Sequence, residues 1–321
     1  MNPDPIFSAD GCRVRDPLYF APRPETRLVE NASLDLLDSH RLSFYLDAKE
    51  AESPTLSRCS RSQQLHMLNL SYDGTPTVAA MMHFCAYPQG FFPRFQILTA
   101  VVNAPDWREE AVIEKKRLNG SISDLYDQAC AFLQEHGQGY PLQALQELVL
   151  NSLIHRDYSE ASVQTPDYII FFPDRVEIWN PIGRPDFSPA SGRVGRAPEL
   201  PNPTIAAMAQ TLLGAQLRGA GLKMVRDQLQ QAGLPDLTYY VEDQELCMVV
   251  KAAQEDPKDM TSALLEFCAA PRSRQEIADF LHVGTVFYAM QRYVRPLLET
   301  GQLSMTMPEK PQSSHQRFVR T

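Results

Sequence analysis

Six cysteines (Cys12, Cys59, Cys85, Cys130, Cys247 and Cys268) lie far apart, with no C-x-x-C pair and no histidine clustered beside them. That spacing suggests neither a zinc site nor a disulfide framework, and it leaves reduced, mostly buried thiols as the expectation. Also missing is any apolar run near the ~18 residues a membrane span needs, and the N-terminal MNPDPIFSADG lacks the basic-then-apolar order of a secretory leader. No membrane association and a cytoplasmic location are therefore expected. No G-x-x-x-x-G-K-[ST] occurs, which excludes a P-loop motor, and there is no internal repeat or low-complexity tract. A general basic field is lacking as well: 30 Lys and Arg against 39 Asp and Glu give a formal charge of −9, with a pI near 5.3. Any contact with nucleic acid must then be local.

The chain has 321 residues, 44% of them hydrophobic, enough for two domains and a small third. Its first thirty residues are polar and proline-rich and read as an arm or linker. From Ser33, SLDLLDSHRLSFYLDA predicts a helix with Ser33 as its cap. The runs TPTVAAMMHFC (75–85) and RFQILTAVVN (94–103), separated by YPQGFFP, predict two strands. A helix is expected from about Ser121 or Ser123 to Gly137 and Gly139, and another from Pro141 to about His155. DYIIFF (167–172) and RVEIWN (175–180) flank Pro173-Asp174 as a hairpin. Residues 184–203 hold five prolines and three arginines without periodicity, and predict a long loop. Helices at 204–214 and 221–233 and a hairpin in LTYYVEDQELCMVV follow, and the polar run QEDPKD (254–259) marks the best domain boundary.

The helix ending in ELVLNSLIHRDY raises a chemical question. Steps of four place Glu147, Asn151 and His155 along one slowly drifting stripe, while Leu145, Leu148, Val149 and Leu153 occupy the other sides. On periodicity alone the plainer arrangement, an amphipathic helix whose polar face meets water, is favoured. Two later features reverse the preference. DRVEIWNPIGRP (174–185) is a strand ending at Asn180 and turning at Gly183, where a ligand can approach the backbone. LRGAGLKMV (217–225) is a G-x-G opening a helix, whose N–H groups and positive end suit phosphates. A carboxylate and an amide on one stripe suit bound Mg²⁺ and a hydrolytic water.

In this order the pieces resemble the GHKL ATP-binding fold of gyrases, mismatch-repair ATPases and histidine kinases: ELVLNS is similar to its N-box and GAGLKMV to its last glycine box. NSLIHRDYS, VEIWNPIGRP and NPTIAAM…GAGL sharpen the resemblance to the RecG C-terminal-like ATP-binding proteins, and with TPTVAAMMHFCAYPQGFFPRFQI it covers roughly residues 25 to 320. Many of those proteins carry an N-terminal AlbA-like (Schlafen-type) domain and are labelled transcriptional regulators or ATP-dependent helicases. Too few residues precede Ser33 for that domain, so a short form or a fragment is expected. The resemblance implies an α+β chain: an arm at 1–30, an α+β segment at 31–140 packed on the next unit, a GHKL-like sandwich of mixed sheet and helices at 141–253, and a C-terminal unit at 261–321.

The resemblance also implies ATP and Mg²⁺ as cofactors. Asn151 would hold Mg²⁺ and Glu147 would act as the catalytic residue that polarises the attacking water. Gly219 and Gly221 would cradle the phosphates, with Leu222 beside them and Arg218 and Lys223 adding charge. Asn180 and Gly183 would face the base, and His155 is a further candidate contact. Asn180 stands where the wider superfamily has an aspartate: an amide accepts a hydrogen bond without charge, and Pro181 removes a backbone donor. The bland account has Arg156 and Asp157 pairing with neighbours at the helix end, and phosphate contact by His155 or Arg156 stands beside it.

From Thr261 three helices (261–269, 273–281, 284–299) and a hairpin between Gln302 and Phe318 are predicted. Ile277, Leu281, Val286, Met290, Val294 and Leu297 would bury one face, as in a winged helix-turn-helix. Seven Arg and Lys against five Asp and Glu give this segment +2. Candidate DNA contacts are Thr285, Tyr288, Gln291, Arg292 and Arg295 on the third helix, with Lys310, His315, Arg317 and Arg320 on the wing. Such units also serve as dimer or partner modules. The expectation is an ATP-binding, DNA-binding transcriptional regulator acting as a dimer, with slow turnover at most and 184–203 as a lid. The alternatives are a degenerate scaffold that docks a partner and, third, a helicase.

Overall fold

The structure is a computed structural model that describes residues 23–162, 164–183, 200–215, 221–253, 257–281, 286–311, 313 and 315–321. The segment before the large sheet contains helices α1 (Ser39–Glu52), α2 (Arg61–Met67) and α3 (Val78–Phe84), with the short strands β1 (Ser71–Tyr72) and β2 (Thr75–Pro76) between the last two. The cap of α1 is Asp38, whose carboxylate accepts from the amides of His40 and Arg41, and Ser33 instead precedes a 3-10 turn at Leu34–Leu36. The strand expected at 75–85 is corrected to a helix. Its apolar run has no period to separate strand from helix, and the Thr77 hydroxyl accepts from the Ala80 amide, satisfying a helix-end donor. Every residue of α3 is buried.

The central sheet comprises β3 (Ile97–Val102), β4 (Val112–Leu118), β5 (Asp167–Phe172), β6 (Arg175–Pro181), β7 (Thr238–Glu242) and β8 (Glu245–Lys251), in the order β4-β3-β5-β6-β8-β7. Only β3 and β5 pair in parallel, which makes the sheet mixed. The hairpin expected around Pro173-Asp174 is present, with Phe172 opposite Arg175. Strand β4 (VIEKKRL) gave no apolar alternation to read, because it is an edge strand carrying Lys115, Lys116 and Arg117 outward.

Helices α4 (Ile122–His136), α5 (Leu142–His155), α6 (Pro203–Leu213) and α7 (Gly221–Gln231) pack with this sheet into an α/β sandwich. A reciprocal Ser121–Asp124 capping box starts α4, and Arg41 reaches it from α1 through two bonds to Asp124, the shorter at 2.6 Å. The main core joins Leu145, Leu148, Val149 and Leu153 of α5 to Ile169, Val176 and Ile178 of the sheet and Val225 and Leu229 of α7.

The last segment holds α8 (Pro257–Phe267), β9 (Arg272–Ser273), α9 (Arg274–Phe280), α10 (Val286–Ala289), a π turn (Met290–Val294), α11 (Arg295–Glu299), β10 (Leu303–Met305) and β11 (Arg317–Arg320). The strands form a small sheet in the order β10-β11-β9. Ile277, Leu281, Val294 and Leu297 are buried in a second hydrophobic cluster, with Val286 and Met290 packed against it. No helix among the described residues is long and apolar enough to cross a membrane. Cys85, Cys247 and Cys268 are buried, Cys59 and Cys130 half-buried, and all five are free thiols.

Candidate functional site

Helix α5 is buried on most sides, with Glu147, Asn151 and His155 left half-buried along the fourth. The Asn151 amide donates to Glu147 Oε1 at 3.0 Å and to the Glu147 carbonyl at 2.8 Å, which locks the two side chains together. Gly221, the first residue of α7, lies directly on them: a Cβ built there would stand 2.0 Å from Glu147 Oε1 and 3.3 Å from Asn151 Nδ2. The close approach thus requires glycine unless Glu147 swings away, and it sets a carboxylate at the positive end of α7.

Asn180, next to last in β6, lies on the face shared with Val176 and Ile178, the core face of the sheet. It is 2% exposed, and its amide donates at 3.3 Å to the Pro181 carbonyl. A Cβ on Gly183 would meet the Asp157 carboxylate at an ordinary 3.4 Å, so nothing in this conformation demands glycine. Leu222 packs against the main core. Lys223 is exposed and paired with Asp227 at 2.8 Å, one turn along α7. Arg218, Gly219 and residues 184–199 of the expected lid lie outside the described residues.

His155 closes α5. Burial holds its imidazole below the usual histidine range, and Nδ1 is shut off from solvent without a hydrogen-bond partner among the described residues. A neutral ring nitrogen in that state is suited to a ligand group. Arg156 has a different part: its guanidinium is 2% exposed, pairs with Asp167 at 3.0 Å, donates to the Thr165 carbonyl at 2.8 Å and sits over the Phe95 ring. Burial pushes the Asp167 carboxyl up to about 7, with Arg156 opposing. Asp157 binds the amide and hydroxyl of Ser159. Of the HRDY phrase, the arginine and aspartate therefore brace the helix end, as the bland account has it.

Three supporting residues escaped the sequence reading. Asn202 looks like a cap for α6 but turns its amide to the Ile154 and Arg156 carbonyls, closing the C-terminus of α5. Glu25, fully buried, accepts from the Thr204 and Ile205 amides and caps α6 from more than 170 residues away. Only the long separation hid it. Tyr126 on α4 lies close enough to Glu147 and Cys130 for both to raise its phenol above the usual range, after burial.

On the last segment Gln291, Arg295, Lys310, His315, Arg317 and Arg320 are exposed. Arg295 pairs with Glu299 and Arg317 with Glu276, each at 3.0 Å. Thr285 and the side chains of Tyr288 and Arg292 lie outside the described residues.

Comparison with known proteins divides the chain. Residues 165–250, from β5 to β8 with α6 and α7, match the family described as "Putative ATP-dependent DNA helicase recG C-terminal". The matched span contains Asn180, Gly183 and Gly221, whereas Glu147 and Asn151 on α5 precede it. Residues 259–321 match the family described as "Filamentation induced by cAMP protein Fic-like, C-terminal domain". No curated protein matches. Among solved structures, the crystal structure of the DIP2311 protein from Corynebacterium diphtheriae is similar at 17% identity and a TM-score of 0.52, over 87% of this chain and 60% of that one. At that identity the likeness is one of fold, and this chain spans about three fifths of the length of the protein it matches.

Proposed function

We propose that the chain binds ATP with Mg²⁺ beside α5, the start of α7 and the end of β6. The approach of Gly221 to Glu147 and Asn151 carries this reading, because it brings a helix N-terminus, a carboxylate and an amide into one place. The residues fit the group: the first turn of α7 would offer N–H groups to phosphate oxygens, Asn151 an oxygen to Mg²⁺, and the unpartnered His155 nitrogen a further contact. When bound, the metal would neutralise phosphate charge and favour attack by water. Glu147, held by Asn151, would orient and polarise that water. Asn180 would accept from the base through its amide oxygen, since its nitrogen is engaged with Pro181.

The reading extends to DNA contact by the last segment, in a dimer. The order α8, β9, α9, the helical run 286–299, β10 and β11 supports a winged helix, and exposed Gln291, Arg295, Lys310, Arg317 and Arg320 supply polar and basic groups. Asn180 favours a second reading, a scaffold that docks a partner without nucleotide, because an uncharged amide already bonded to its neighbour is a weaker reader of adenine. Calorimetry with ATP, ADP and GTP separates the two. Binding of ATP–Mg²⁺ that weakens by about tenfold or more in Asn151→Ala is expected; no heat from the unmodified chain with any of the three leaves the scaffold.

A further inference from the structure

We propose that Glu114, Glu135 and His136 form a site for a divalent transition-metal cation of the Zn²⁺ class, separate from the nucleotide site. Glu114 lies on edge strand β4, and Glu135 and His136 are the last two residues of α4, which packs over that edge. One ligand atom from each of the three stands within 4.8 Å of the other two, the one such grouping among the described residues. His136 Nε2 is 3.5 Å from Glu114 Oε2 and 3.8 Å from Glu135 Oε2. Two donors bound to one tetrahedral ion at about 2.1 Å would be about 3.4 Å apart, so small side-chain movements close the set.

The imidazole supplies an independent observation. Its Nε2 is closed off from solvent, and the carboxylates of Glu114 and Glu135 stand 3.5 and 3.8 Å away, beyond a well-formed hydrogen bond. The ring is held on the Phe132 ring, 4.5 Å between centroids, with Phe171 at 6.1 Å, so packing fixes the imidazole beside the two carboxylates. The place already attracts a cation: Lys116 Nζ stands 2.6 Å from Glu114 and 3.2 Å from Glu135. The negative C-terminal end of α4 adds to that attraction. An ammonium balances the carboxylates but cannot use the nitrogen lone pair, whereas a borderline-soft ion uses all three donors. Lys116 is long and half-exposed, so an ion would displace its ammonium toward solvent, and water would complete the coordination. An imidazole in the set selects for zinc-like ions over Mg²⁺ and Ca²⁺.

The test is titration of the metal-free full chain with Zn²⁺ against a chromophoric indicator, and with Co²⁺ for the visible spectrum of low-symmetry coordination. Binding should weaken at least tenfold in His136→Ala and in Glu135→Gln, the latter an exposed position whose change leaves the fold intact. Lys116→Ala should tighten it several-fold by removing the resident competitor. The proposal is overturned if the wild type takes no Zn²⁺ at micromolar concentration, if the two ligand variants bind as the wild type does, or if Lys116→Ala loosens binding. In each case the group is an ion-pair network only.

Discussion

Arg156 brings a full charge into the layer between α5 and the sheet, and its surroundings account for it group by group. One nitrogen faces Asp167, another the Thr165 carbonyl, and the plane lies on Phe95. Removing one partner of such a pair leaves a buried charge or a forced neutral acid, whereas removing both leaves neither. Arg156→Met is therefore expected to lower stability by about 3–5 kcal/mol. Arg156→Met with Asp167→Leu should recover a large part of that loss. Urea unfolding of the two variants checks it; a single variant within about 1 kcal/mol of wild type would show that the pair is not holding the helix end. The same accounting separates His155 from its neighbour, since its buried nitrogen has no protein partner among the described residues.

At the level of elements, α6 is tied at its start by Glu25 and, further along, by the His83 ring nitrogen 3.2 Å from the Ile205 carbonyl. Burial pushes His83 down to about 3, while in the unfolded chain it titrates near 6.5. The neutral ring thus adds stability that is fully present above pH 6.5 and is lost as pH falls toward 3, by about 1.4 kcal/mol per pH unit at most. Glu25, raised by burial, acts in the opposite sense, its contribution being lost as pH rises. Comparing variants removes that background: the stability difference between wild type and His83→Leu should shrink from pH 7.5 to pH 5 as the wild type loses its advantage. A difference that does not change with pH would mean that His83 titrates in the fold as it does in the unfolded chain. None of this tie could be read from the sequence, because both partners are remote from 203–213. Local signals did locate the β5–β6 hairpin and the Ser121 start of α4. They failed at α3, where an all-apolar run carries no period, and at β4, whose charged edge hides its alternation. The neighbourhood of Glu147, Asn151 and Gly221 was legible because each signal was local in its own helix, and α5–α7 packing then joined them.

Across the whole molecule, the charge is divided between a last segment at +2 and a remainder at −11. A duplex approaching the protein would be repelled by most of it and drawn only to the basic groups of 261–321. Those groups are not equivalent. Arg295 and Arg317 are already paired with Glu299 and Glu276, so a phosphate gained there is partly a carboxylate lost. Lys310 and Arg320, exposed on the same segment, have more to gain. If the segment binds DNA, Lys310→Ala and Arg320→Ala should each lower the slope of log affinity against log salt by about 1, and Arg295→Ala and Arg317→Ala by less. Fluorescence anisotropy of a labelled duplex over a salt series measures all four. The same assay at one fixed salt, with and without ATP–Mg²⁺, tests whether the two ends of the chain communicate. A nucleotide effect that is present in the wild type and absent in Asn151→Ala would place its origin beside α5. Equal DNA affinity with and without nucleotide, in a chain that calorimetry shows to bind ATP, would mean that the sandwich and the last segment act independently.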